Sequence, residues 1–312
     1  MVKSSSYKIC IVIPCYNEEE NIKPLYKSLM ETLKQIPHYK ILFIDDGSTD
    51  GTLDMIKELQ LKNRKIGYLS FSKNFGHQNA LKAGFDHAQG DCVISMDADL
   101  QHPAELIIKM INLWEENYDI VYTIREDDQI SSRFKRKMAT LFYAILNILS
   151  DTKVEFGTAD FRLLDRKVID VLKNNLNEYY LFYRGLLPWI GFTQIGIRYK
   201  AQPRFAGKSK YTCAKMFNFA THGITGFTIK PLRMAIYCGL VVSMIAFLYG
   251  GWAVYQHLIF HRTFPGWTSL LISILFLGGI QILFIGVLGE YLGKMFFEIK
   301  KRPHYIIKEK SL

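Results

Sequence analysis

The sequence predicts an α/β domain built on a mostly parallel sheet, followed by two helices that cross a membrane. Three observations predict it. Short continuous apolar runs alternate with helical spacing from residue 8 to residue 123, each run stops in a polar cluster, and residues 231–297 are nearly all apolar. Strands that are apolar throughout, rather than at every second residue, are buried on both faces, as in a parallel sheet covered by helices.

The elements follow in order. Lys8 to Ile13 is a β-branched run ended by Pro14. Glu18 to Gln35 carries Ile22, Leu25, Leu29 and Leu33 at helical spacing. Ile41 to Ile44 is a second strand, stopped by Asp45-Asp46-Gly47-Ser48. Thr52 to Leu61 is helical, with Leu53, Ile56 and Leu59 on one side. Ile66 to Phe71 is a third strand and His77 to His87 a helix. Cys92 to Met96 is a fourth strand, ending in Asp97-Ala98-Asp99. Pro103 to Glu116 is a helix with proline in its first turn, and Asp119 to Thr123 is a fifth strand.

Two amphipathic stretches follow. Arg133, Lys135, Arg136 and Lys137 precede the apolar positions Met138, Leu141, Phe142, Ile145, Leu146 and Leu149, so residues 131–150 read as a basic interfacial helix. Residues 209–229, with Met216, Phe217, Phe219, Phe227 and Ile229, read as a second interfacial element leading to the first span. The spans are expected at 232–258 and 268–293, each exceeding the roughly 20 residues that cross about 30 Å of hydrocarbon. Between them lies one basic residue, Arg262, whereas Lys230 and Arg233 precede the first span and Lys294, Lys300, Lys301, Arg302, Lys308 and Lys310 accompany or follow the second. Positive flanks stay inside. The domain at 1–230 and the basic tail at 300–312 are therefore both predicted on the cytoplasmic face of the cell membrane. Trp252 and Trp267 fall near the outer interface, where indoles anchor. Glu290, near the inner end of the second span, reads as a packing or snorkelling carboxylate.

A net charge of +10 suggests an anionic partner, and no basic-aromatic nucleic-acid motif is present. The five cysteines, Cys10, Cys15, Cys92, Cys213 and Cys238, form no CxxC and no zinc spacing, so reduced, mostly buried thiols are expected. Ile9 to Ile13 is too short for a signal peptide.

Ligands bind beyond the carboxyl ends of strands in such sheets. Every acidic cluster here falls at such an end. Asp97 and Asp99, spaced i and i+2 in extended chain, project to one side. Two such carboxylates repel unless a cation lies between them, and hard oxygens suit Mg²⁺ or Mn²⁺ completed by substrate phosphates. Asp45-Asp46-Gly47-Ser48-Thr49-Asp50-Gly51 also has the composition of a turn and N-cap. With Pro14-Cys15-Tyr16-Asn17-Glu18 it completes three polar clusters at one sheet edge.

These motifs resemble the family 2 glycosyltransferases of the GT-A fold. Pro14, Asn17 and Glu18, the Asp45–Asp50 run, Asp97-Ala98-Asp99-Leu100-Gln101-His102-Pro103, Gly157-Thr158-Ala159-Asp160-Phe161-Arg162 and Arg204-Phe205-Ala206-Gly207-Lys208-Ser209-Lys210-Tyr211 carry the likeness. With the two spans, they resemble the polyprenyl-phosphate branch, which includes dolichyl-phosphate mannose synthases and the bacterial undecaprenyl-phosphate glucosyltransferases of O-antigen modification. The resemblance implies that Pro14, Tyr16, Glu18, Asp45 and Asp46 line a nucleotide-sugar pocket, with Lys73 and Asn74 at base or ribose. It implies Asp97 at the diphosphate, Asp97, Asp99 and Gln101 around Mg²⁺ or Mn²⁺, and Asp160 as base or orienting group for the acceptor. Arg204, Ser209 and Lys210 would grip phosphates. Ala159 stands where many relatives carry Gly or Cys.

The implied activity is inverting transfer of a hexose, with UDP-glucose the first choice of donor, to a polyprenyl phosphate for cell-surface glycan modification. GDP-mannose and a uridine-linked aminoarabinose remain open as donors. A processive polysaccharide synthase would carry Gln-x-x-Arg-Trp, and no Arg-Trp pair occurs. A non-catalytic scaffold is opposed by intact Asp97, Asp99, Gln101 and Asp160. The two spans also offer surfaces for packing between copies as a homo-oligomer.

Overall fold

The computed structural model describes residues 7–126, 155, 157–176, 178–200, 228–260 and 266–312. Its first half follows the predicted alternation: β1 (Ile9–Cys15), α1 (Glu19–Leu33), β2 (Tyr39–Asp45), α2 (Thr52–Lys62), β3 (Ile66–Phe71), α3 (His77–His87), β4 (Cys92–Ser95), α4 (Leu106–Glu115) and β5 (Ile120–Glu126). After these come β6 (Thr158–Asp165), α5 (Arg166–Asn174), α6 (Tyr183–Ile190), β7 (Gln194–Lys200), α7 (Lys230–Phe260), α8 (Trp267–Lys300) and β8 (Ile307–Ser311). Helix α4 starts three residues later than Pro103 suggests, because Pro103 and Ala104 are spent on a turn whose carbonyls accept from Leu106 and Ile107. Both interfacial stretches, 131–150 and 209–229 (apart from Thr228 and Ile229), and Arg204, Ser209 and Lys210 lie outside the described residues.

One eight-stranded sheet runs β7-β5-β6-β4-β1-β2-β3-β8. Strands β1, β2, β3 and β4 are mutually parallel, in registers such as Ile9↔Tyr39 and Ile9↔Cys92. Strand β6 runs antiparallel between β4 and β5, so the fifth strand is not β4's neighbour. Because period-2 alternation sends successive residues to opposite faces, β1 feeds two cores. Ile9, Ile11 and Ile13 pack with α1, α2 and α4, while Cys10 and Val12 pack with α3, α5 and α6. A Cβ on Gly84 would overlap Val12, so glycine there lets α3 lie close on β1.

Helices α7 and α8 contain Leu232–Gln256 and Ser269–Lys300, each long and apolar enough to cross a membrane. Their large apolar side chains are exposed: Leu240, Phe247, Leu275 and Ile282 are each more than 60% accessible. Residues 300–312, which the sequence presents only as a basic tail, return to the eight-stranded sheet. Strand β8 pairs antiparallel with β3. Tyr305 stacks on Phe71 at 5.2 Å, Tyr68 Oη donates to Glu309 (2.6 Å) and Lys57 pairs with Glu309 at 2.9 Å.

Candidate active site

The carboxyl edge of β1, β2, β3 and β4 collects the predicted polar clusters. At the end of β1, Pro14 is buried and Tyr16 half-buried. Asn17 adopts φ +51°, its backbone N–H donates to Ser48 Oγ (3.0 Å), and its Oδ1 accepts from Thr49 N (2.8 Å). Glu18 Oε2 accepts from Asn21 Nδ2 at 2.6 Å. The first cluster is thereby tied to the second.

At the end of β2 the two aspartates divide their work. Asp45 is 1% exposed and accepts from Ser48 N (3.0 Å) and Ser70 Oγ (2.7 Å), so it builds the turn. Asp46 accepts from Phe75 N (2.6 Å) and Gly76 N (2.9 Å), which holds the β3–α3 loop. Burial raises the Asp46 carboxyl to about 6, against the pull of those two N–H groups. Gly47 sits at φ +70°, and a Cβ there would come within 2.5 Å of the Lys73 carbonyl carbon. The loop carrying Lys73 and Asn74 therefore lies directly on the β2 turn, both residues exposed.

At the end of β4, Asp97 meets groups that the sequence does not single out. Its Oδ1 lies 3.5 Å from His77 Nε2 and its Oδ2 3.2 Å from His102 Nε2. His102 Nδ1 is 2.7 Å from Tyr199 Oη. Strand β6 runs antiparallel to β4 in the register Ser95↔Arg162. Asp160, two residues before Arg162, is thus delivered to the edge that Asp97, two residues after Ser95, occupies. Ser95 Oγ donates to the Asp160 carbonyl at 2.6 Å. Arg184, from α6, donates to both carboxylate oxygens of Asp160 at 3.1 and 3.0 Å. His77 Nε2 is 3.6 Å from Asp160 Oδ2, so one imidazole stands between two carboxylates.

The electrostatics follow from this packing. Burial of Asp160 favours its neutral form, but Arg184 and His77 prevail and hold it well below the usual carboxylate range. Burial likewise opposes ionisation of Asp97, and the two histidines overcome it and lower its pKa. Burial also opposes protonation of His77, whose side chain is still 40% accessible. The Asp97 and Asp160 charges outweigh it and raise the imidazole to about 9. The edge therefore carries two fixed anions interleaved with an imidazolium and a guanidinium.

Asp99 is 7% exposed and accepts from the Gln101 backbone N–H at 3.1 Å. Gln101 Oε1 accepts from Arg125 at 3.1 Å. Leu100 between them has φ +61°, a conformation unusual for a branched side chain. Two carboxylates and one amide oxygen within five residues are hard donors that fit Mg²⁺ or Mn²⁺. Among the described residues no three His, Cys, Asp or Glu side chains stand together as a metal cluster. A bound ion would thus keep water or phosphate oxygens in its shell, as these ions prefer.

His77, His102, Tyr199 and Arg184 are the members that sequence reasoning misses. Arg184 leaves one faint trace, a lone cation in the otherwise apolar run Leu181 to Ile190. His102 lies inside the Asp97–Pro103 motif without an evident role.

Comparison with known proteins adds family evidence. The model of glycosyl transferase family 2 matches residues 10–172, and that of the GtrB C-terminal hairpin matches residues 230–295. The bactoprenol glucosyl transferase of Shigella phage SfII is 45% identical over 303 residues, covering 97% of this chain and 98% of its own. The prophage bactoprenol glucosyl transferase homolog of Escherichia coli (strain K12) is 44% identical over 303 residues, 96% of this chain and 98% of its own. YkcC of Bacillus subtilis (strain 168), named only as a glycosyltransferase, is 42% identical over 300 residues, 96% of this chain and 93% of its own. A catalytic sheet with its acidic edge and an apolar hairpin, both matched along nearly the whole length, make this chain a member of glycosyltransferase family 2.

Proposed function

We propose that this chain transfers glucose from UDP-glucose to a polyprenyl phosphate, with undecaprenyl phosphate as the acceptor, on the cytoplasmic side of the cell membrane. The observation that carries the reading is the Asp97–His77–Asp160–Arg184 chain at the sheet edge of a protein that ends in two membrane-length helices. Similarity along the whole chain to bactoprenol glucosyl transferases supports the sugar and the lipid class. The basic flanks support the orientation.

In this reading Pro14, Tyr16, Glu18 and Asp46 line the nucleotide pocket with Lys73 and Asn74, and Asp45 shapes its turn. Asp97, Asp99 and Gln101 would hold the divalent ion, which neutralises charge on the departing diphosphate. Arg204, Ser209 and Lys210 are assigned to phosphates. The reaction is a single displacement. A phosphate oxygen of the lipid gives an electron pair to the anomeric carbon, the bond from that carbon to the diphosphate oxygen breaks, and UDP leaves with the electrons of the broken bond. The attacking oxygen is already anionic, so orientation matters more than base strength. Asp160, held as an anion by Arg184, fits an orienting part: it fixes the guanidinium and the His77 imidazolium toward the phosphates.

The test is a donor panel with membranes containing undecaprenyl phosphate, with and without chelator. Label from UDP-glucose should enter the organic-extractable fraction and vanish with chelator. Transfer from GDP-mannose or UDP-aminoarabinose instead would replace the sugar assignment, and no lipid product from any donor would end it.

A further inference from the structure

We infer that a cavity between the inner end of α8 and the β3–α3 loop receives the phosphate and first isoprene units of the acceptor lipid. This rests on the proposed polyprenyl-phosphate acceptor and adds where that acceptor sits. The cavity holds about 620 Å³, within the range of roughly 300–1,000 Å³ typical of small-molecule sites. Its walls come from the β3–α3 loop with the first turn of α3, from residues 179–182, and from residues 302–306.

Its position suits a lipid headgroup. Tyr179 stacks on Phe297 of α8 at 5.2 Å, and its backbone N–H donates to Glu298 Oε1 at 2.7 Å. Lys294 Nζ lies 5.4 Å from the centre of the Tyr180 ring. One wall is therefore fastened to the last turns of a membrane-length helix. Another wall is the chain that leaves α8 through Lys301. The cavity thus opens where the apolar span gives way to polar chain, the depth at which a lipid carries its phosphate.

Its chemistry is that of an amphiphilic anion. Arg302 contributes a cation, while Leu181, Phe182 and Ile306 contribute apolar surface. His304 Nδ1, buried in the same wall, has no hydrogen-bond partner among the described residues. In its Nδ1–H tautomer this atom can donate to an oxygen placed in the cavity. A phosphate neutralises the Arg302 guanidinium and satisfies this atom, and an isoprenoid chain covers the apolar wall.

The cavity also reaches the reaction centre. Gln78 lines it, donates through Nε2 to Asp160 Oδ2 at 3.5 Å, and accepts from Tyr183 N at 3.2 Å. A phosphate held here stands one side chain from Asp160, where an acceptor must wait for the anomeric carbon.

The test uses the full chain in lipid nanodiscs. Arg302→Glu should raise KM for undecaprenyl phosphate by between about 10- and 100-fold, the loss expected when a charge-assisted phosphate contact becomes a repulsion, with KM for UDP-glucose unchanged. Leu181→Trp, which fills the cavity without altering charge, should act in the same direction. A diazirine-bearing polyprenyl phosphate should label residues 179–182 or 302–306 in the wild type. Undecaprenyl phosphate should compete for that label, and phosphatidylglycerol vesicles or inorganic phosphate should not. Unchanged lipid KM in both variants, or label elsewhere, overturns the assignment while wild-type transfer leaves the acceptor class standing. Equal competition by phosphatidylglycerol also overturns it, in favour of a general anionic-lipid site. Labelling in the cavity without any sugar transfer would support the cavity and sink the transferase reading instead.

Discussion

Replacing Arg184 with glutamine probes the ion pair on which the active edge is built. Asp160 is 6% exposed and takes both forks of the guanidinium, at 3.1 and 3.0 Å. Removing one partner of a fully buried pair costs about 3–5 kcal/mol, because the other charge is stranded. Here the Arg184 side chain is 24% accessible, and Asp160 keeps His77 and Gln78 nearby. The expected cost is therefore smaller, about 2 kcal/mol. For a soluble domain of this size that lowers Tm by roughly 4–8 °C. The sign with pH is also set. Asp160 titrates well below its usual range, so its contribution is complete above about pH 4 and fades as pH falls through the depressed folded value. Arg184→Gln should shrink that acid-labile share. A double-mutant cycle with Asp160→Asn, read by thermal unfolding of the purified protein in detergent at pH 7, should give a coupling of about 1.5–3 kcal/mol. A coupling near zero, with Tm unmoved by Arg184→Gln, would refute the claim that this pair holds the edge together.

Three further outcomes are expected. Asp97→Asn and Asp99→Asn should each abolish sugar transfer while circular dichroism shows a folded chain, and full activity in either would remove the ion from those ligands. Asp46, raised to about 6 by burial, should make UDP affinity fall about tenfold per pH unit below about 6 as the carboxylate is protonated. Asp46→Asn should bind weakly at every pH, so a titration with the same break in that variant would assign the break elsewhere. Gly47→Ala places a Cβ against the Lys73 backbone at φ +70° and should cost about 2 kcal/mol or more in stability. Equal Tm for Gly47→Ala and wild type would show that the two loops are not packed as described.

What could be read from the chain alone was whatever local chemistry repeats. The five strand-length apolar runs carry their burial on both faces in their composition, and β1 to β5 appear within a few residues of the expected bounds. The clusters after β1, β2 and β4 were legible because a parallel sheet places all its carboxyl ends on one edge, so sequence position becomes spatial position. The two apolar helices were legible because a membrane-length run of about 20 residues has few soluble explanations. Inside the clusters, however, composition did not separate Asp45, spent on Ser48 and Ser70, from Asp46, spent on the β3–α3 loop. Which carboxylate builds a turn depends on donors that come from other strands.

The partners of the acidic edge were decided by tertiary structure alone. Asp97 meets His77 because α3 packs on β1 through Gly84, and Asp160 meets Arg184 because antiparallel β6 inserts between β4 and β5 and α6 folds over it. The last residues become a strand on β3 because that edge offers unpaired backbone groups, a property of the assembled sheet and not of the segment Ile307–Ser311. Sequence sets which residues are apolar and where the chain must turn. The pairing of charges distant along the chain depends on register and helix packing, and these exist only once the sheet is formed.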